Sequence, residues 1–128
     1  PKLYFLDTGL AAHLTEWSSP ETLAAGAMAG AIFETHVVIE ILKSFWHRVE
    51  RPPLWFYRDR DGREIDLVIE RDGRLHPVEI KLGATPKKSW SRSFRTLGSE
   101  RDHGAVVCLY PELIPLETDT SVVPAGIL

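Results

Sequence analysis

Two carboxylates and a lysine fall on neighbouring segments that are predicted to be strands. Asp66 belongs to the run 64–70, and Glu79 and Lys81 belong to the run 78–82. Side chains two residues apart on a strand share a face, so a hairpin of these runs would bring the three groups together. Carboxylate oxygens are the ligands that Mg²⁺ and Mn²⁺ prefer, and an adjacent lysine would orient or deprotonate a water molecule. The spacing therefore indicates a metal-and-water site.

A third carboxylate is predicted to approach this site from a helix. The run 29–47 has helical spacing, with Val38, Ile41 and Phe45 on its apolar side. Glu34 lies at one end of the same stripe. A carboxylate in that position needs a partner, a metal or a proton. We expect Glu34 to bind a second metal ion or to order the ligands of the first.

Hydrophobic periodicity and turn residues predict the elements that would position these groups. We expect, in order, a helix at 29–47, a strand at 54–57, a hairpin of strands at 64–70 and 78–82, a helix at about 87–97, a strand at 105–110 and at most one short edge strand around 122–123. Alternation places Ile65, Leu67 and Ile69 on one face. The order predicts an α/β fold, a mixed sheet of about four to five strands (β-meander, helix crossover, strand) flanked by helices.

The helix predicted at about 87–97 carries a basic cluster made of Lys87, Lys88, Arg92 and Arg95. A basic helix face can hold a DNA backbone, although a solvated helix face has the same composition. The whole chain has a net charge of -3, so nucleic-acid binding would depend on this local patch.

Composition indicates that residues 1–128 form one domain, since 44% of the residues are hydrophobic, which is enough for a single core. The lone cysteine, Cys108, excludes a disulfide framework within the chain and suits the reducing cytoplasm. No signal peptide or bilayer-spanning segment is visible, which favours a cytoplasmic protein without a membrane partner. A homo-oligomer is left open. Pro1 in place of Met indicates part of a longer chain.

The order of the charged residues resembles the signature of the PD-(D/E)XK phosphodiesterase superfamily. That family places an acid on one hairpin strand, the pattern acid-any-Lys on the next, and a glutamate on a preceding helix. The resemblance implies Asp66 and Glu79 as ligands of Mg²⁺ or Mn²⁺, joined by the backbone carbonyl of Ile80. It implies catalytic roles for Lys81, which would orient the attacking water, and for Glu34.

Four stretches along the chain, at 2–10, 30–34, 57–66 and 77–81, are similar to the domain-of-unknown-function 4143 family. That similarity implies a restriction-endonuclease-like fold at the C-terminal part of ATPases, with a P-loop AAA-type domain and a winged helix upstream. This sequence has no phosphate-binding P-loop motif of its own, so ATP chemistry would belong to those upstream regions. It also has no glutamine, which separates it from exonuclease-like branches of the superfamily and favours the resolvase-like pattern.

Three functions follow as alternatives. The first is a metal-dependent nuclease domain that hydrolyses phosphodiester bonds of DNA and is attached to an ATPase. The second is an inactive nuclease-like fold that serves the ATPase as a nucleic-acid-binding or regulatory module. The third is a charge network of the acids and Lys81 that only specifies the fold.

Overall fold

The structure, a computed structural model, describes residues 2–14 and 19–128. The described helices are α1 (Thr8–Leu14), α2 (Pro20–Ala25) and α3 (Ala29–His47). The strands are β1 (Leu54–Arg58), β2 (Glu64–Arg71), β3 (Arg74–Ile80), β4 (Gly104–Cys108), β5 (Ile114–Glu117) and β6 (Thr120–Pro124). Two 3₁₀ segments complete the order, Lys88–Glu100 before β4 and Ala125–Ile127 after β6. The predicted long helix is confirmed at its predicted bounds.

The strands form a mixed sheet in the order β1-β2-β3-β4-β6-β5. The meander of β1, β2 and β3 is antiparallel, β4 lies parallel to both β3 and β6, and β5 returns antiparallel to β6. The α/β class and the mixed sheet are confirmed, but the described sheet has six strands rather than four to five.

The C-terminal part of the chain contributes two strands, where the sequence predicted at most one at an edge. β6 is internal, between β4 and β5, and its Val122 is fully buried. Pro115 lies in β5, at the edge of the sheet, where the missing amide proton removes no essential ladder bond. Pro115 therefore fits the edge strand, and Pro124 is the last residue of β6.

The hairpin of β2 and β3 turns through two residues. Asp72 and Gly73 have φ of 52° and 72°, which is the backbone of the tight turns that suit the twist of a hairpin. Arg71 pairs directly with Arg74 across the turn, so β3 begins at Arg74 and ends at Ile80. The predicted strand at 78–82 was placed too far along the chain because the turn is tighter than expected.

β2 carries a bulge that changes which face its residues occupy. Trp55 pairs with Val68 and Tyr57 pairs with Ile65. Between these two pairs, β2 therefore contains one residue more than β1. Ile65 and Val68 consequently belong to one core cluster, whereas Leu67 belongs to the other. The prediction that Ile65 and Leu67 share a face is wrong for this reason.

A core cluster lies on each face of the sheet. One cluster lies under α3 and is formed by Val37, Val38, Ile41, Phe45, Leu67, Val78, Ile80 and Val107. The other lies under the 3₁₀ segment Lys88–Glu100 and is formed by Ile65, Val68, Phe94 and Val106. The predicted helices on both faces are thus confirmed, although the second is a 3₁₀ segment broken at Gly98, where φ is 63°. Within the described residues, no helix has both the length and the apolar character needed to cross a membrane.

Candidate active site

Asp66 lies where the two strands of the hairpin separate. The paired ladder between β2 and β3 ends at Leu67 and Val78, although both strands continue past that pair. The amide of Ile80 instead donates a hydrogen bond to Asp66 Oδ2 at 2.8 Å. The β2 bulge and this bond position a largely buried carboxylate, 13% exposed, at the point where the ladder ends.

Glu79 follows on β3 and is the most deeply buried acid of the site, with its side chain 10% exposed. Its Oε1 lies 3.2 Å from Lys81 Nζ, as the two-residue spacing predicted. Its Oε2 is buried and has no hydrogen-bond partner among the described residues. A buried carboxylate oxygen without a partner is costly, so we expect this oxygen to take up a proton or to bind a cation.

The two acids influence each other. Burial, and then the charge of Asp66, raises the pKa of Glu79 to about 7 against the opposing charge of Lys81. Burial also raises the pKa of Asp66, and the charge of Glu34 adds to this, while the bond from Ile80 and the charges of Lys2 and Lys81 oppose it. A cation bound by both carboxylates would offset the free-energy cost of ionising two acids that are buried close together.

The Glu34 carboxylate is already bonded by two side chains of the N-terminal segment, Lys2 and Tyr4. Lys2 Nζ lies 2.5 Å from Glu34 Oε1, and the Tyr4 hydroxyl donates to the same oxygen at 3.1 Å. Lys2 Nζ also lies 3.8 Å from Asp66 Oδ1 and 4.7 Å from the centre of the Phe56 ring. Lys2 therefore links the acid on α3 to the acid on β2.

The sequence predicted neither Lys2 nor Tyr4 as part of the site. One residue separates Lys2 from Tyr4 in the segment before α1, and 32 positions separate Lys2 from Glu34. Burial and the charge of Glu34 raise the pKa of Tyr4 to about 12, so its hydroxyl remains a proton donor. The bond to Glu34 and its charge raise the pKa of Lys2 despite the opposing effect of burial.

A groove of about 510 Å³ opens beside Glu79 and Lys81. Its other lining residues are Arg63, Glu64, Ser89, Trp90, Arg92, Ser93, Arg95 and Thr96. The predicted basic residues Arg92 and Arg95 thus lie next to the predicted catalytic lysine. Lys87 and Lys88 are exposed and do not line this groove.

The helix type explains which basic residues share the groove. α-Helical spacing would place Lys88, Arg92 and Arg95 on one face, but a 3₁₀ helix repeats every three residues. Arg92 and Arg95 therefore share a face, while the positions three and six after Lys88, Ser91 and Phe94, are buried. Arg63 was not predicted at the site; Asp59 and Asp61 bind its guanidinium at 2.7 and 2.9 Å.

The donor set suits a loosely held hard cation rather than a closed metal centre. Across residues 2–14 and 19–128, no group of three or more His, Cys, Asp or Glu side chains could hold a metal ion. Mg²⁺ keeps several waters and takes one or two protein carboxylates together with substrate phosphates. Asp66 and Glu79, with the unpartnered Oε2 of Glu79, fit that smaller requirement.

Comparison with known proteins places most of this chain in one family. A family model described as Domain of unknown function (DUF4143) matches residues 29–128. Uncharacterized protein Mb2031c of Mycobacterium bovis and Uncharacterized protein Rv2008c of Mycobacterium tuberculosis are each 31% identical over 127 residues. The match covers 98% of this chain and 27% of each relative, so the chain spans about a quarter of their length. No solved structure matches the chain.

Proposed function

The chain belongs to the DUF4143 family, and we propose that it is a restriction-endonuclease-like domain that hydrolyses phosphodiester bonds of DNA with Mg²⁺ or Mn²⁺. One observation carries the proposal. Glu79 presents a buried, unpartnered carboxylate oxygen beside Asp66, at the inner end of a groove lined by Lys81, Arg92 and Arg95. Carboxylates for a metal and cations for a phosphate thus adjoin each other.

Each group has a role in this proposal. Asp66 and Glu79 hold the ion, with Asp66 oriented by the amide of Ile80. Lys81 lines the groove together with Glu79 and its side chain is 41% exposed, so its Nζ can hold a water molecule against a phosphate. Arg92 and Arg95 offset the charge of the nucleic-acid backbone in the groove. The ion, when bound, supplies positive charge at the phosphate and makes a water molecule more acidic.

A second function is favoured by the contact between Lys2 and Glu34. An ammonium already neutralises Glu34, and this acid was the third member of the predicted catalytic set. The alternative proposal is therefore an inactive nuclease-like fold that binds nucleic acid or regulates an attached ATPase. The two functions differ in whether phosphodiester bonds are cut.

A cleavage assay separates them. We expect Mg²⁺- or Mn²⁺-dependent cutting of duplex, single-stranded or branched DNA, reduced roughly 100-fold or more in Asp66→Asn and in Lys81→Ala. Glu40→Gln is the matched control, because Glu40 pairs with Lys43 on α3 and belongs to no part of this site. Cutting that is absent in all proteins, or equal in the two site variants and the control, contradicts the nuclease proposal.

The role of the groove is tested by measuring DNA binding by two pairs of substitutions. Arg92→Ala/Arg95→Ala should weaken DNA binding and reduce its dependence on salt, since fewer counterions are released. Lys87→Ala/Lys88→Ala removes the same charge from exposed positions outside the groove and should have the smaller effect. An equal effect of both pairs would place the DNA along the whole basic segment instead.

A further inference from the structure

The Lys2 ammonium contacts both Glu34, the third carboxylate of the predicted site, and Asp66. Its Nζ lies 2.5 Å from Glu34 Oε1 and 3.8 Å from Asp66 Oδ1. It also lies 4.7 Å from the centre of the Phe56 ring. The lysine side chain is 28% exposed, so the ammonium is largely enclosed by two acids and an aromatic ring.

Sites with two catalytic ions place them about 3.5–4 Å apart. At this site the first ion would bind Asp66 and Glu79. A second ion would need Glu34 together with Asp66 Oδ1, the oxygen that faces Lys2. Lys2 Nζ already contacts those two acids. A divalent ion and an ammonium cannot both occupy that position, because two cations would share one small, largely enclosed space and their charges repel.

We propose that Lys2 is a fixed cation in place of a second metal ion, so that the site takes one divalent ion, on Asp66 and Glu79. This inference rests on the proposed function, since it presupposes the first ion. In it, Glu34 is a positioning residue that acts through Lys2 rather than a metal ligand. Tyr4 supports the same arrangement by donating to the Glu34 oxygen that Lys2 contacts.

The inference is tested by counting ions. Mn²⁺ is titrated into the full-length protein without nucleotide, by calorimetry and by the electron paramagnetic resonance of free Mn²⁺. Ions are counted relative to the Asp66→Asn/Glu79→Gln double variant, which corrects for sites elsewhere in the chain. We expect one ion per chain in the wild type and two in Lys2→Met, which keeps the apolar stem but removes the charge.

Two further variants separate charge from folding. Lys2→Arg retains a cation and should stay at one ion, and Lys2→Met/Glu34→Gln should return to one because the second ion loses its carboxylate. Lys43→Met is the matched control, since Lys43 pairs with Glu40 on the same helix at 3.1 Å and should leave the count at one.

The outcomes distinguish this inference from the function beneath it. One ion in both the wild type and Lys2→Met, or two ions in the wild type, overturns the role of Lys2 and leaves the nuclease proposal standing. A wild type that binds no more Mn²⁺ than the Asp66→Asn/Glu79→Gln variant overturns both.

Discussion

Glu79 is the residue whose environment departs most from that of an ordinary surface acid. One oxygen contacts Lys81, and the other is buried with no partner among the described residues. A carboxylate in such a place is charged only at a cost, unless a proton or a metal ion satisfies it. The cost of ionising Glu79 should therefore make the stability of the metal-free protein depend on pH.

We expect the metal-free protein to lose stability as the pH rises through neutrality. Burial and the charge of Asp66 raise the pKa of Glu79 from 4.5 to about 7 on folding. The folded state thus binds more protons than the unfolded state between these values, and its stability falls as the pH rises through that window. The expected loss is on the order of 1–3 kcal/mol. Urea unfolding in EDTA at pH values below and above the window measures it.

The matched variant for this prediction is Glu79→Gln. A neutral amide of similar shape cannot titrate, so its unfolding free energy should be less dependent on pH and should exceed that of the wild type above neutrality. Since the acids other than Asp66 titrate alike in both proteins, the difference isolates Glu79 together with its effect on Asp66. An unchanged pH dependence in Glu79→Gln would show that this carboxylate is not the source.

At the residue scale, the sequence predicted those contacts that follow from local periodicity. Glu79 lies in β3 and Lys81 directly follows the last residue of that strand, and the two-residue spacing suffices for their 3.2 Å contact. Lys2 could not be predicted, because its contact with Glu34 joins residues that are 32 apart and depends on where the N-terminal segment crosses α3. Local pattern carries no signal for such a crossing.

At the element scale, the sheet holds the site by close packing of the strands against the 3₁₀ segment. Gly104 begins β4, and a Cβ there would lie 2.8 Å from Phe94 Cε2 and 3.0 Å from Pro77 Cγ. Phe94 and Pro77 are both fully buried, so neither can move away freely. The 3₁₀ segment that carries the groove arginines is thereby fixed against β3 and β4.

Gly104→Ala should destabilise the protein by about 1–3 kcal/mol, because one added methyl group overfills this contact. Gly30→Ala is the control, since nothing lies within 4 Å of a Cβ at that position and alanine favours the helix. Urea unfolding of both variants measures the difference. Equal stabilities would show that the 3₁₀ segment does not pack tightly on β4.

The elements differ in how far they could be predicted. α3 has 19 residues with a sustained apolar stripe, and both its ends were correct. β5 and β6 have four and five residues and include Pro115 and Pro124, so their periodicity is short and their proline content argues against strands. The β2 bulge is a property of pairing with β1, which no single strand reveals.

At the scale of the whole molecule, charge is distributed unevenly. The net charge is -3, yet the groove beside Glu79 gathers Lys81, Arg92 and Arg95. The overall composition therefore does not reveal that these basic residues are gathered in one groove. The relatives are longer, since this chain matches 27% of their length. Association with upstream P-loop ATPase and winged-helix regions, a cytoplasmic location and self-association remain proposals for the full-length protein.

The central claim is that Asp66 and Glu79 bind a catalytic divalent ion, and anomalous scattering from a crystal soaked in Mn²⁺ tests it most directly. We predict one anomalous peak at coordination distance, about 2.0–2.3 Å, from a carboxylate oxygen of each acid, with Lys2 still in contact with Glu34. A crystal with these side chains ordered and no peak between them, or a peak bound by Glu34 instead, would contradict the claim.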